Sequence, residues 1–358
     1  MSNPVNIPGP KRRRRWLTVV LTTVVTALAG LVLWFGEFSP GGRDPIFRGK
    51  PESEWIKNLK YSDSRQAEEW RSYGEEGVQV LIRGLEQARR TGRAYRRFNQ
   101  RVPGFVRQLL PAPKPDSTVS VRMCIASLLW SLGNDAKSAA PVMIWTANQD
   151  ESVEVRQLAI GYFNYNGSEN CPLNQLSPSQ KKKLLPAYVR PFADPASASA
   201  RHNASIGIKF FPEQREVVAP VLARALEDSD PHVRVYSAEA LNRIAPEVAQ
   251  ETGAMSVLVS CVKAPNDPAA PKAVAALAHA GSQPEVAVPV LIECLQGTNT
   301  LIACEAVWAL EWAPKEFNAF AERIIPALGV AAERKDNAGG YAKVALARWQ
   351  SKSDGQRK

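Results

Sequence analysis

The stretch DPHVRVYSAEALNRIA, residues 230–245, decides the fold because its pattern recurs along the chain. From Val233 it follows the form Val-Arg-x-x-x-Ala-x-x-Leu-x-x-Leu-Gly, which reads as an amphipathic helix. Other copies are VRMCIASLLWSLG from Val121, VRQLAIGYFNYNG from Val155 and ARHNASIGIKFFP from Ala200. Degenerate copies align from Ala269, Leu301 and Asn337, and the steps between starts are 34, 45, 33, 36, 32 and 36 residues. A second marker runs in parallel. Apolar runs open on Pro141, Pro186, Pro220, Pro289 and Pro326, with Ser256 filling one slot, at steps of 45, 34, 36, 33 and 37 residues. Proline suits the first turn of a helix, where its missing N–H has no intrahelical acceptor anyway. Each unit is therefore read as a Val-Arg helix, a short turn and a second helix opening on proline. Both ladders share the single 45-residue step, which places an insertion around 168–181.

One such pair cannot bury its apolar face alone, whereas stacked pairs share a continuous core. An earlier unit fits 63–87 (DSRQAEEW, then GVQVLIRGLEQ), and YAKVALARW near 341–349, with no second helix after it, reads as a cap. The pattern resembles the HEAT repeat, an armadillo-like α-solenoid, across about 61–350. The most specific part is Asp-x-x-Val-Arg, present at Asp230–Arg234 and, two residues longer, at Asp150–Arg156 and Asp116–Arg122. The resemblance implies an all-α fold, a right-handed α-α superhelix. It also implies that the Asp caps the first helix and that Asp and Arg of successive units bond along the stack. Asp116, Asp150, Asp230, Arg122, Arg156, Arg201 and Arg234 are then structural. Independently, Asp is a preferred N-cap, contributing about 1 kcal/mol. The lead-in RGKPESEWIKNLK, 48–60, resembles the segment before the repeats of membrane-anchored bacterial HEAT proteins.

Residues 16–35, WLTVVLTTVVTALAGLVLWF, carry no charge. Twenty helical residues span about 30 Å, the thickness of a bilayer core. Trp16, Trp34 and Phe35 stand at the ends, and Lys11 to Arg15 precede the run directly. The positive-inside rule then keeps the N-terminus in the cytoplasm and sends the repeats to the extracytoplasmic side, the periplasm in a Gram-negative cell. A signal peptide cleaved after Ala29 is the rival reading, opposed by the apolar residues that follow. The expected layout is a basic tail at 1–15, a transmembrane helix at 16–35 and a connector with a short amphipathic helix at 36–60. The repeats follow at 61–350, and a polar tail at 351–358.

The net charge of +10 is local. Residues 88–115 hold Arg89, Arg90, Arg93, Arg96, Arg97, Arg101, Arg107 and Lys114 and no acid, with Tyr95, Phe98 and Phe105 interleaved. This basic insert reads either as a solvated helical extension or as a patch for an anionic partner: lipid headgroups, a polyanionic envelope polymer or an acidic protein. Arg89, Arg90, Arg93, Arg96, Arg97 and Arg101 are its candidate contacts. A nucleic-acid partner is not expected, because the basicity does not describe the whole surface.

Five cysteines without a C-x-x-C exclude a disulfide scaffold, and Cys261 and Cys294, one repeat apart, read as small buried residues. His202, His232 and His279 fall in separate repeats without metal-ligand spacing. Neither a nucleophile-elbow nor a phosphate-loop motif is present. The Asn-x-Ser patterns at Asn166 and Asn203 matter only in a eukaryotic secretory pathway. The expectation is a membrane-anchored scaffold that binds proteins, not an enzyme, with no catalytic, cofactor or metal site and no cofactor. The rival class is a bilin-lyase-like HEAT enzyme, which the anchor opposes.

Overall fold

The computed structural model describes residues 44–108, 118–164, 171–194, 196–264, 266–279 and 283–356. The expected transmembrane run 16–35 and Asp116 lie outside them. Among the described residues no helix is long and apolar enough to cross a membrane.

Among the described residues the secondary structure is helical apart from a two-stranded antiparallel hairpin, β1 (Ile46–Phe47) and β2 (Lys50–Pro51). Arg48 and Gly49 form its two-residue loop with φ of 49° and 81°, the positive values that a tight hairpin turn needs. The helices that follow are α1 (Glu52–Lys57), α2 (Ser64–Ser72), α3 (Gly74–Arg101), α4 (Gly104–Arg107), α5 (Val119–Leu132), α6 (Ala140–Gln149) and α7 (Val153–Asn164). Then come α8 (Pro178–Val189), α9 (Ala198–Gly207), α10 (Arg215–Ala225), α11 (Pro231–Ile244), α12 (Pro246–Glu251) and α13 (Ala254–Lys263). The last five are α14 (Ala270–Leu277), α15 (Pro284–Gln296), α16 (Thr300–Glu311), α17 (Ala321–Ala332) and α18 (Asn337–Gln356).

The chain divides into two compact units. One comprises residues 44–61 and 79–125 of those described. Here the connector is a folded element. Trp55 donates its indole N–H to the Phe47 carbonyl at 2.9 Å, and Glu52, 8% exposed, takes a two-pronged bond from Arg83 on α3 at 2.6 and 3.0 Å. Ile56 lies where a Cβ on Gly84 would stand, so only glycine lets α1 come this close to α3.

The other unit comprises 62–78 and 126–356 and contains the stack. The Val-Arg helices α7, α9, α11, α14, α16 and α18 pack in succession as one layer. In the second layer α6 packs on α8, and α13, α15 and α17 pack in succession. Both sequence ladders thus fall on helices at every copy. The motif glycine Gly133 adopts a φ of 54° directly after α5, the left-handed residue that ends many helices.

Four prolines depart from expectation. Pro141 does sit in the first turn of α6, but Pro186, Pro220, Pro289 and Pro326 lie inside α8, α10, α15 and α17. An interior proline loses one backbone hydrogen bond and costs about 3 kcal/mol. Packing outweighs this. Val218, Val288 and Ile324, each fully buried, occupy the turn before the proline and hold that turn helical. Short helical pieces also stand between the paired helices, at Gly133–Ala139, Pro172–Gln175, Pro212–Gln214, α12 and Lys315–Phe320, where the sequence suggests only turns. At the C-terminus α18 continues to Gln356, past the 341–349 copy and into the expected polar tail.

Neighbouring layers meet most tightly at Gly207. A Cβ there would stand 2.6 Å from the Tyr188 ring and closer still to Asn164 Oδ1. Tyr188 donates its hydroxyl to Asn164 Oδ1 at 2.6 Å, and the Asn164 amide donates to the Asn203 carbonyl. Gly207→Ala forces this buried network apart and is expected to lower stability by about 1–3 kcal/mol in urea unfolding. An unchanged midpoint would show that Tyr188 and Asn164 yield freely.

Candidate functional site

The arginines of the Val-Arg motif first close their own turns. Arg156 donates to the Asp150 and Glu151 carbonyls, Arg234 to those of Asp228 and Ser229, and Arg201 to that of Asp194. Arg122 is buried and bonds Thr118 Oγ1. Asp230 caps α11, its Oδ1 accepting from the N–H groups of His232 and Val233. Asp150 instead accepts from the Ser152 N–H, and it is Ser152 whose hydroxyl accepts from Val155 at the start of α7.

The bond along the stack is made by a residue the sequence reading passed over. Arg201 forms a bidentate pair with Asp228 at 2.6 and 3.1 Å, with both side chains nearly buried. Asp228, not Asp230, is thus the linking acid. Its carboxyl titrates below its ordinary range, because the bond and charge of Arg201 outweigh the effect of burial. In the last unit Arg334 does the linking. It pairs with Asp336 and donates to the Leu295 and Gly297 carbonyls of the preceding turn.

A second buried cluster centres on Glu239 of α11, whose side chain is 1% exposed. Lys209 Nζ donates to Oε1 at 2.8 Å, Lys272 Nζ stands 3.3 Å from Oε2, and His279 Nε2 lies 3.7 Å from Oε1. Burial alone would raise the Glu239 carboxyl, but Lys272, Lys209 and His279 outweigh it and hold it at about 2. Burial pushes Lys209 below the ordinary lysine range despite its partner, and likewise holds His279 below the imidazole range.

Beside this cluster the ends of three successive Val-Arg helices leave a shallow hollow of about 310 Å³. Asn242 and Arg243 of α11, Ala278 and His279 after α14, and Trp312 and Pro314 after α16 line it. Asn242 is buried and its Oδ1 lacks a hydrogen bond among the described residues. From the hollow an apolar face extends along α16 and α18. Leu301 and Trp308 of α16 and Trp312 directly after it are spaced seven and four apart and all are exposed, Trp312 at 69%. Tyr341 of α18 meets Trp308 at 5.2 Å between ring centroids, and the Arg348 guanidinium lies 4.3 Å from the Trp312 ring centroid. Val344 adds a further exposed apolar group. A face of exposed aromatics rimmed by cations has the composition of a recognition surface rather than of ordinary solvated helix.

The remaining candidates are placed as follows. The basic insert is the continuation of α3, a 28-residue helix carrying Arg89, Arg90, Arg93, Arg96, Arg97 and Arg101, followed by α4 with Arg107. Arg90 and Arg101 are exposed. Cys261 and Cys294 are buried free thiols, and burial pushes Cys294 up to about 11.

Residues 218–248 match the HEAT repeat family model. The match covers α10 from Val218 and then α11, so the family unit runs from proline helix to Val-Arg helix, the reverse of the pairing read from the sequence. A crystal structure of an engineered protein from a structural genomics consortium is similar at a TM-score of 0.43 and 18% identity, over 83% of this chain and 88% of that one. A search of curated proteins finds no match. The chain is an α-helical repeat protein, and one unit of it, residues 218–248, is similar to the HEAT repeat.

Proposed function

We propose that this protein is a repeat scaffold that binds a protein partner through the exposed face of α16 and α18 and the adjoining hollow. We further propose that residues 16–35 anchor it in a membrane with the repeats on the extracytoplasmic side. The observation that carries the first reading is the continuous stripe of Leu301, Trp308, Trp312, Tyr341 and Val344, left uncovered in a chain whose other large side chains are mostly interior. Covering such a stripe removes apolar area from water, and central aromatics contribute most of the binding energy in protein interfaces. Arg243 in the hollow favours a partner segment that carries a carboxylate. The anchor rests on the uncharged run and its basic flank.

Photo-crosslinking tests the surface. A photoreactive residue at position 341 of the full-length protein in its membrane is expected to capture a discrete partner. Trp308→Ala with Trp312→Ala should reduce affinity for that partner at least tenfold while leaving helical content unchanged. Equal capture from position 341 and from exposed Val217, far along the chain, would defeat the reading.

A further inference from the structure

We propose that His202, His232 and Asp230 form a binding site for a divalent first-row transition-metal ion that ties α9 to α11. His202 lies on α9 and His232 at the second position of α11. They are 30 residues apart, so one turn of the repeat sets them side by side. Their rings stack with centroids 5.1 Å apart and planes inclined by 23°. One ring nitrogen from each and a carboxylate oxygen of Asp230 all lie within 4.8 Å of one another, at half-buried positions.

The donors suit the ion. Among the described residues neither imidazole makes a hydrogen bond through its ring. The nearest acceptor to His232 Nδ1 is Asp230 Oδ1 at 3.6 Å. Asp230 Oδ1 also accepts the cap bonds at the start of α11, which leaves Oδ2 free of the cap. Two imidazoles and one carboxylate with positions open to solvent match zinc, iron(II) or cobalt(II), whereas magnesium and calcium take oxygen donors. Bonds of about 2.0–2.1 Å set tetrahedral ligands about 3.4 Å apart, so the side chains close by roughly 1 Å on loading. Tyr236, its ring 5.6 Å from that of His202, shields the site on one side. The three ligands come from two successive repeats, so the ion would link units as the Arg201–Asp228 pair does.

The test uses the full-length, untagged protein in detergent. Titration with Co2+ is expected to give one equivalent of bound ion with the visible absorption of a tetrahedral site, displaced by Zn2+. His202→Gln and His232→Gln should each weaken binding at least tenfold, with His279→Gln unchanged as the control for the remaining histidine. Zn2+ should raise the thermal unfolding midpoint of the wild type and of His279→Gln, but not of the other two variants. Absence of micromolar binding in the wild type overturns the proposal. So does undiminished binding in both His202→Gln and His232→Gln, with folding of each confirmed by circular dichroism.

Discussion

Glu239→Gln is expected to lower folding stability by about 3–5 kcal/mol at neutral pH, although it keeps the shape of the side chain. Lys209 is 9% exposed in its side chain, and removal of its acid leaves a buried cation without a counter-charge. Lys272 and His279 lose the same partner. A carboxyl displaced from its ordinary 4.5 to about 2 corresponds to about 3 kcal/mol, the same order. The sign of the pH dependence follows. Glu239 titrates lower when folded, so its contribution is complete above the unfolded value of 4.5 and is lost as pH falls toward 2. The variant lacks that acid limb. Lys209 in the variant also titrates lower when folded than unfolded. Its penalty is therefore full at neutral pH and disappears as pH rises toward the unfolded lysine value near 10.4. Urea midpoints measured from pH 3 to 10 should converge between wild type and variant at both ends. Parallel curves would show that the cluster contributes no net electrostatic stability.

Trp349→Ala is the second large effect, about 3–5 kcal/mol. Trp349 is 2% exposed, sits on α18 and donates its indole N–H to the Leu310 carbonyl of α16 at 2.9 Å. Trp349 ties α18 to α16, and a lost anchor is expressed as local opening of α18 before global unfolding. Limited proteolysis should cut between 333 and 356 far faster in the variant, while α9 to α11 stay protected. Trp349→Phe, which keeps most of the apolar area and loses the hydrogen bond, should cost about 1 kcal/mol. Equal cleavage in the wild type and the Ala variant would show that α18 is held by other contacts.

The helices were legible because amphipathic spacing and a step of about 36 residues are local properties that any window of sequence carries. Their starts were less so. Pro220 and Pro289 look like openings, and only the burial of Val218 and Val288, two residues and one residue before them, explains why the helix begins earlier. The linking acid was misplaced by two residues, because Asp228 and Asp230 are chemically alike and only geometry assigns one to Arg201 and the other to the cap. The clusters were missed for a different reason. Lys209, Glu239 and Lys272 are separated by 30 and 33 residues, and Trp308 and Tyr341 by 33. A separation of about one repeat length is the signal that such pairs carry in the sequence.

From the sequence alone came the helical-repeat architecture, the uncharged run at 16–35 and the basic continuation after the first repeat, since all three are periodicities or compositions of neighbouring residues. Only the folded stack decided which side chains one repeat apart face each other, which acid answers which arginine, and which aromatics stay uncovered. The physical reason is that a helix rotates its residues by about 100° each. Equal spacing brings two groups to the same rung, but their contact depends on the exact phase and burial of both helices, and these are set by packing across the layers.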